Sequence, residues 1–242
     1  NLKSITLPNS VKKIETDAFY SCSALESVNI PDSVTELQAH AFRYCRALHT
    51  VTIGKGLKAI VGAAFYDLTN LKNVTIAEGV ESIGKNAFYN CDSIESITLP
   101  NSLKVLETCA FYDCDSLKSI VIPNGVKKIE ADTFYSCSAL ESVNIPDSVT
   151  ELQAHAFRYC RTLKSVTIGN GLKTIVKDMF NDLDQLETVT IAGGVETIEN
   201  SAFDGWGDVK GKRVSGRGRN LGTEAFYSCS ALESVNIPDS VT

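Results

Sequence analysis

The sequence predicts a mainly β solenoid of about ten 23-residue coils, with parallel strands on one face and short extended, 3₁₀ or helical turns on the other. Three observations predict it. All ten phenylalanines, Phe19, Phe42, Phe65, Phe88, Phe111, Phe134, Phe157, Phe180, Phe203 and Phe226, are spaced by 23 residues. Apolar columns keep the same period, among them Val28, Val51, Val74, Ile97 and Ile120, and Ile30, Ile53, Ile76, Leu99 and Ile122. The stretch FYSCSALESVNIPDSVT starts at Phe19, Phe134 and Phe226, with separations of 115 and 92 residues that are both multiples of 23. A chain repeating on a fixed period buries its apolar face against neighbouring units, not around one centre. Residues 1–242 are therefore expected to form a single elongated repeat domain, with an irregular repeat at 205–221.

Each coil can be justified in chain order. In Leu25 to Ile30, apolar Val28 and Ile30 alternate with polar Ser27 and Asn29, the period-two pattern of a half-buried strand. Pro31-Asp32-Ser33 and its counterpart Gly54-Lys55-Gly56 supply turn chemistry: fixed φ, side-chain bonding to backbone, and permissive glycine. Val34 to Leu37 reads as a second short extended segment with Val34 and Leu37 inward. Ala41 to Cys45 then carries the coil round through a helical or 3₁₀ turn, with Phe42 plugging the interior. Successive coils run in one direction, so the sheets must be parallel and their hydrogen bonds must lie between repeats.

The unit L-x-x-V/I-x-I-P-x-S-V-x-x-I-x-x-x-A-F-x-x-C resembles the BspA-like, treponemal-type leucine-rich repeat, and the resemblance covers about nine of the ten units. Departures are Leu68 and Leu183 for the cysteine, Thr133 and Met179 for the alanine, and most of residues 206–221. The resemblance implies a leucine-rich-repeat solenoid that is secreted or displayed at the cell surface. It implies binding, often adhesion to a protein or glycan, with no catalytic residues to carry over. Leu2 to Cys45 and Leu117 to Cys160 are close copies, which indicates growth by duplication of a five-coil block.

Composition narrows the function classes. A net charge of −6 argues against broad nucleic-acid binding, which needs a positive footprint. No run approaches the roughly 18 apolar residues of a membrane span. The chain starts inside one repeat and stops inside another, and is expected to be a piece of a longer array. His40, His49 and His155 are scattered, and no phosphate loop, nucleophile elbow or zinc-spaced cysteine set occurs. The expected protein is not an enzyme and uses no cofactor or metal. Cys22, Cys45, Cys91, Cys114, Cys137, Cys160 and Cys229 share one column with Leu68, Leu183 and Trp206, the pattern of small buried thiols kept reduced. Cys109 falls in a column of Asp, His and Asn, and is expected to be more exposed and more reactive.

Candidate binding residues lie on the outward positions of the strands. Ser27, Thr50, Asn73 and Ser96 form one column, and Asn29, Thr52, Thr75 and Thr98 another. Together they make an uncharged, hydroxyl-rich face suited to a protein, a glycan or ice, although Asn29, Val121 and Asn144 break the strict Thr spacing that ice binding wants. A purely structural spacer displaying another domain is the alternative. The column Lys3, Glu26, His49, Lys72, Glu95 alternates in sign and reads as register support between neighbouring strands. Tyr20, Tyr66, Tyr89, Tyr112, Tyr135 and Tyr227 follow Phe directly and are expected to pack over the adjacent coil.

Residues 205–221 break the columns, putting Lys212 where Val or Ile belongs and Gly218 where Val or Leu belongs. Trp206, Arg213, Arg217 and Arg219 could anchor a ligand there. The segment also reads as a damaged repeat, or as a local frameshift, since its codons read one base later can spell nearly the ordinary repeat. A weak joint at this coil is expected, with preferential proteolysis there and end-to-end self-association through an open strand edge.

Overall fold

The computed structural model describes residues 2–204, 212–215, 220–221, 225 and 232–236. Each coil has three sides. The first carries the strands anticipated from the alternation, Ser27–Ile30, Thr50–Ile53 and Asn73–Ile76 onward to Leu232–Asn236, with every paired neighbour parallel. Val28 and Ile30 are buried while Ser27 and Asn29 are exposed, as a two-residue period requires. The second side carries two-residue strands in three ladders, Lys13–Ile14 with Glu36–Leu37, Ala59–Ile60 to Glu151–Leu152, and Thr174–Ile175 to Asn220–Leu221.

The third side differs from the expected 3₁₀ or helical turn: among the described residues there is no helix. Its N–H groups alternate in use. Tyr20 N–H closes a turn on the Asp17 carbonyl at 3.0 Å, while Phe19 N–H donates to Ala41 of the next coil at 2.8 Å. A helix would spend its interior N–H groups inside the coil and leave few for the neighbour. The chain achieves this alternation with left-handed residues such as Asp17 (φ 58°), Ser21 (φ 55°), His40 (φ 60°) and Tyr44 (φ 61°). Asp, Asn and His tolerate that region better than most side chains, which accounts for their column.

Inside, the phenylalanines form a stacked spine. Centroids of Phe42 and Phe65 lie 5.5 Å apart with planes 7° from parallel, and those of Phe111 and Phe134 lie 5.6 Å apart at 3°. One apolar cluster runs from Ile14 to Ala225 around this spine.

Strand length on the first side is set by one turn position. Gly54 N–H donates to the Ile30 carbonyl at 2.9 Å, and Ala77 N–H to that of Ile53 at 2.9 Å, each adding a rung at the strand end. Pro100, Pro123 and Pro146 occupy the same position and have no N–H to give. The strands shorten to Ser96–Ile97 and Ser119–Ile120, and Asn73–Ile76 meets the next coil by a single bridge, Thr75 to Thr98. Two fully paired three-strand patches result, Ser27–Ile30 to Asn73–Ile76 and Ser142–Ile145 to Thr188–Ile191, one in each copy of the block.

The irregular coil corrects one reading. Lys212 was expected opposite Val189, but the backbone register pairs Val189 with Val214 and Thr188 with Arg213. On the second side Ile198 still pairs with Leu221, so two residues are gained before the strand and given back after it. A two-residue slip preserves the alternation of faces, whereas a one-residue slip would invert it. Gly218, Trp206, Arg217 and Arg219 lie outside the described residues, as do most of the proposed weak joint and the open terminal edge.

Candidate recognition face and its two hollows

The outward strand positions are held in exact coil-to-coil register: Ser27, Thr50 and Asn73 align, as do Asn29, Thr52 and Thr75, with Thr98 bridged to Thr75. Asn29, Asn73, Thr75, Ser96 and Thr98 are exposed, and Thr50 and Thr52 half-buried. Arg213 takes the register of the Ser27 column in its coil. From Ser27 to Thr188 and from Asn29 to Thr190 the two columns hold no charged residue. Charges flank them in cross-coil pairs, Lys118 to Glu95 at 2.7 Å, Lys164 to Glu141 at 3.6 Å and Lys3 to Glu26 at 3.9 Å, as register support demands. Exposed Val121 interrupts the polar columns between the two patches.

Beside each fully paired patch the surface sinks into a hollow. The first, of about 640 Å³, is walled by Asn29, Thr52 and Thr75 on the strands and by Asn9, Asp32 and Ser33 on the turns. The second, of about 530 Å³, has Asn144, Thr167, Thr190, Asn124, Asp147 and Ser148, every one of them 115 residues further on. Small residues make the depth. Gly54 lies so close to the preceding turn that a Cβ there would sit 2.7 Å from Asp32 N, and Gly169 repeats this at 2.6 Å from Asp147 N. Ala77 and Ala192 complete the floor.

The acids in these hollows are already engaged. Asp32 Oδ1 accepts the Lys55 N–H at 3.0 Å and its other oxygen faces Lys55 Nζ at 3.3 Å, and the hydrogen bond from the Lys55 backbone holds its carboxyl below the usual range. Asp147 Oδ1 accepts Asn170 N–H at 2.7 Å and Asn170 Nδ2 at 3.2 Å. The serines are not engaged: Ser33 Oγ and Ser148 Oγ are both buried without a hydrogen-bond partner. Ser102, at the same turn position in another coil, donates to the Val80 carbonyl at 2.7 Å and accepts the Gly79 N–H at 2.9 Å.

On the third side Tyr66, Tyr89, Tyr112 and Tyr135 stack at 4.7, 4.7 and 4.4 Å, which confirms their packing over adjacent coils. Tyr44 and Tyr159 close the stack edge-on at 5.8 and 5.2 Å. Sequence reading missed these two because they stand two places after Phe. The signal was present: Arg43 and Arg158 occupy the usual tyrosine position, and Arg43 lies over the Tyr66 ring at 4.4 Å. Burial raises the phenols of this stack above their ordinary range.

The thiols have a role that the column alone did not reveal. Cys45 Sγ donates to the Phe19 carbonyl at 3.0 Å, and Cys91, Cys114, Cys137 and Cys160 repeat the bond to the phenylalanine 26 residues back at 3.1–3.3 Å. All seven cysteines among the described residues are free; Cys229 lies outside them. Cys109 is half-buried, more open than these five, but burial and then Asp132 push its pKa up to about 11. Its thiolate is thus scarcer than in a free cysteine, but less so than at Cys45, which burial pushes up to about 12. His40 and His155 sit 3.6 Å from Asp17 and Asp132, the same pair in each block.

The model of the BspA type leucine-rich repeat region matches residues 1–117, 81–210 and 209–242, six copies in all. The chain belongs to this family. The BspA-type chain is also similar to a leucine-rich repeat protein of Bacteroides ovatus, with 27% identity over 97% of its length and a TM-score of 0.83. It spans 60% of that protein's length. A leucine-rich repeat protein of Eubacterium ventriosum shares the fold at 18% identity and a TM-score of 0.60, with 99% of this chain and 80% of that one covered. A leucine rich cell surface protein of Faecalibacterium prausnitzii matches at 26% identity over 95% of this chain and 84% of that one, with a TM-score of 0.34. No curated protein matches the BspA-type chain. BspA-type solenoids are in general non-enzymatic binding scaffolds, and no helix among the described residues is long and apolar enough to cross a membrane.

Proposed function

We propose that this chain is a non-catalytic recognition solenoid, secreted or held at a cell surface, that binds a protein or glycan through its polar strand face. The observation that carries this reading is the face itself: two hydroxyl and amide columns locked in register on a rigid ladder, with the neighbouring charges already paired to one another. A spacer has no need of an uncharged lane between paired charges. Ice binding is the poorer fit, because Asn29, Val121 and Asn144 stand where a regular threonine array would continue. Adhesion is the corresponding activity.

The test is the triple variant Thr52→Lys, Thr75→Lys, Thr98→Lys, read as adhesion to immobilised extracellular-matrix proteins and glycans. Three lysines in adjacent coils remove the hydroxyls and put hydrated charges where a neutral ligand would have to desolvate them, and a loss of at least tenfold in binding is expected. Unchanged adhesion with an unchanged melting temperature would favour the spacer.

A further inference from the structure

Resting on that reading, we infer that the two hollows are equivalent subsites for one neutral, hydroxyl-rich polymer, a linear glycan laid along the solenoid axis. Four observations point the same way. Each hollow offers hydroxyl and amide groups from Asn29, Thr52 and Thr75, or from Asn144, Thr167 and Thr190, and its one carboxylate is held by the turn of the next coil, Asp32 by Lys55 and Asp147 by the amides of Asn170. Each contains a buried serine hydroxyl with no partner, Ser33 or Ser148. A buried hydroxyl left unpaired is costly, and its occurrence at the same place in both copies ties it to the hollow and not to one local accident.

The lining also selects against other ligands. Anions meet Asp32 or Asp147, and a cation at the first hollow meets Lys55 already paired with Asp32. An extended peptide adding itself as a strand needs an open edge. Here the neighbouring rungs are already closed, Gly54 N–H to Ile30 and Gly169 N–H to Ile145, both at 2.9 Å. What fits is a ligand with many hydroxyls and apolar C–H faces to lie against Pro31, Ala77 and their copies.

Spacing supplies the polymer. The hollows are 115 residues apart, five coils, which at about 4.8 Å per coil is roughly 24 Å. All coils run parallel, so both hollows face a ligand in the same sense. A linear chain with a repeating unit meets the second subsite as it met the first. Joining the two encounters makes the second intramolecular and raises affinity by about 10²- to 10⁴-fold without any new contact.

The experiment uses the whole chain. It is screened on immobilised neutral glucans, mannans and galactans alongside Ser/Thr-rich peptides, and the bound class is then titrated calorimetrically as oligomers of rising length. Short oligomers should bind weakly at two per chain. Those long enough to span both hollows should bind at one per chain and about 10²- to 10⁴-fold more tightly. Ala77→Gln fills the first hollow and Ala192→Gln the second; either alone should leave one short oligomer per chain and abolish the length-dependent gain, and both together should abolish binding. Thr75→Gln and Thr190→Gln, on exposed strand positions, serve if the alanine variants melt lower than the parent. The inference is overturned if no neutral glycan binds, if binding does not depend on length, or if filling one hollow leaves the stoichiometry unchanged. Capture of a peptide alone, lost on Thr52→Lys, Thr75→Lys, Thr98→Lys, would overturn it while leaving the face as a recognition surface.

Discussion

Phe111→Ala is expected to lower the unfolding free energy by about 3–5 kcal/mol, the range for a buried phenylalanine. Its ring is fully buried and stacks on Phe88 at 5.4 Å and on Phe134 at 5.6 Å, so truncation opens a cavity between two coils and breaks both contacts. In a solenoid, stability is a sum of coil terms and nearest-neighbour interfaces. Loss of two adjacent interfaces should therefore also reduce cooperativity, and the urea transition should broaden or split. Phe19 is the comparison: it is only half-buried and stacks on Phe42 alone at 5.0 Å. Phe19→Ala should cost clearly less. Similar small losses at both positions would mean that the spine is not what couples the coils.

The second large effect is alkaline. Burial raises the pKa of Cys45 to about 12 and drives the thiols of Cys91, Cys114, Cys137 and Cys160 above their usual range. An unfolded cysteine ionises near pH 8.5, so the folded state holds these protons more tightly than the unfolded state does. Such groups contribute fully below the unfolded pKa, and the contribution is lost as pH rises toward the folded value. Each thiol should withdraw up to about 1.4 kcal/mol per pH unit, and five in one column act together. The urea midpoint should fall steeply between about pH 8.5 and 10, before the tyrosine stack begins to titrate in the same direction. Cys114→Ala should make that fall shallower while lowering stability at pH 7, because the Phe88 carbonyl loses its partner. A flat profile over this window would show that the thiols are solvated or already deprotonated.

Much of this fold could be read from the letters because the repeat states the same sentence many times. The Phe column, the alternation at Val28 and Ile30, and the turn at Pro31 each follow from a local rule, and the parallel stacking follows from the period. What escaped reading was set by relations between coils. The third side looked helical because Ala41 to Cys45 has helix-forming composition, yet stacking required its N–H groups to reach the next coil. Val214 replaced Lys212 opposite Val189 because pairing, and not residue count, sets register. Cysteine looked like a mere small apolar filler until its Sγ was seen beside a phenylalanine carbonyl. The recognition columns were legible one residue at a time. The hollows were not, since they depend on Gly54 and Ala77 following Pro31 in three successive coils, a pattern visible only across the period.

That turn column has an evolutionary consequence. Proline or a residue with an N–H can stand there without touching the phenylalanine spine, and the choice decides whether a strand gains its last rung to the preceding coil, as at Gly54, or lacks it, as at Pro100. Surface relief is thus inherited separately from the interior. A single base change that turns proline into alanine can extend a ladder in one coil while the core remains as it was. Copying a block transmits the whole topography at once. A lineage built this way can redraw what it touches by editing its corners, and lengthen its reach by repeating them.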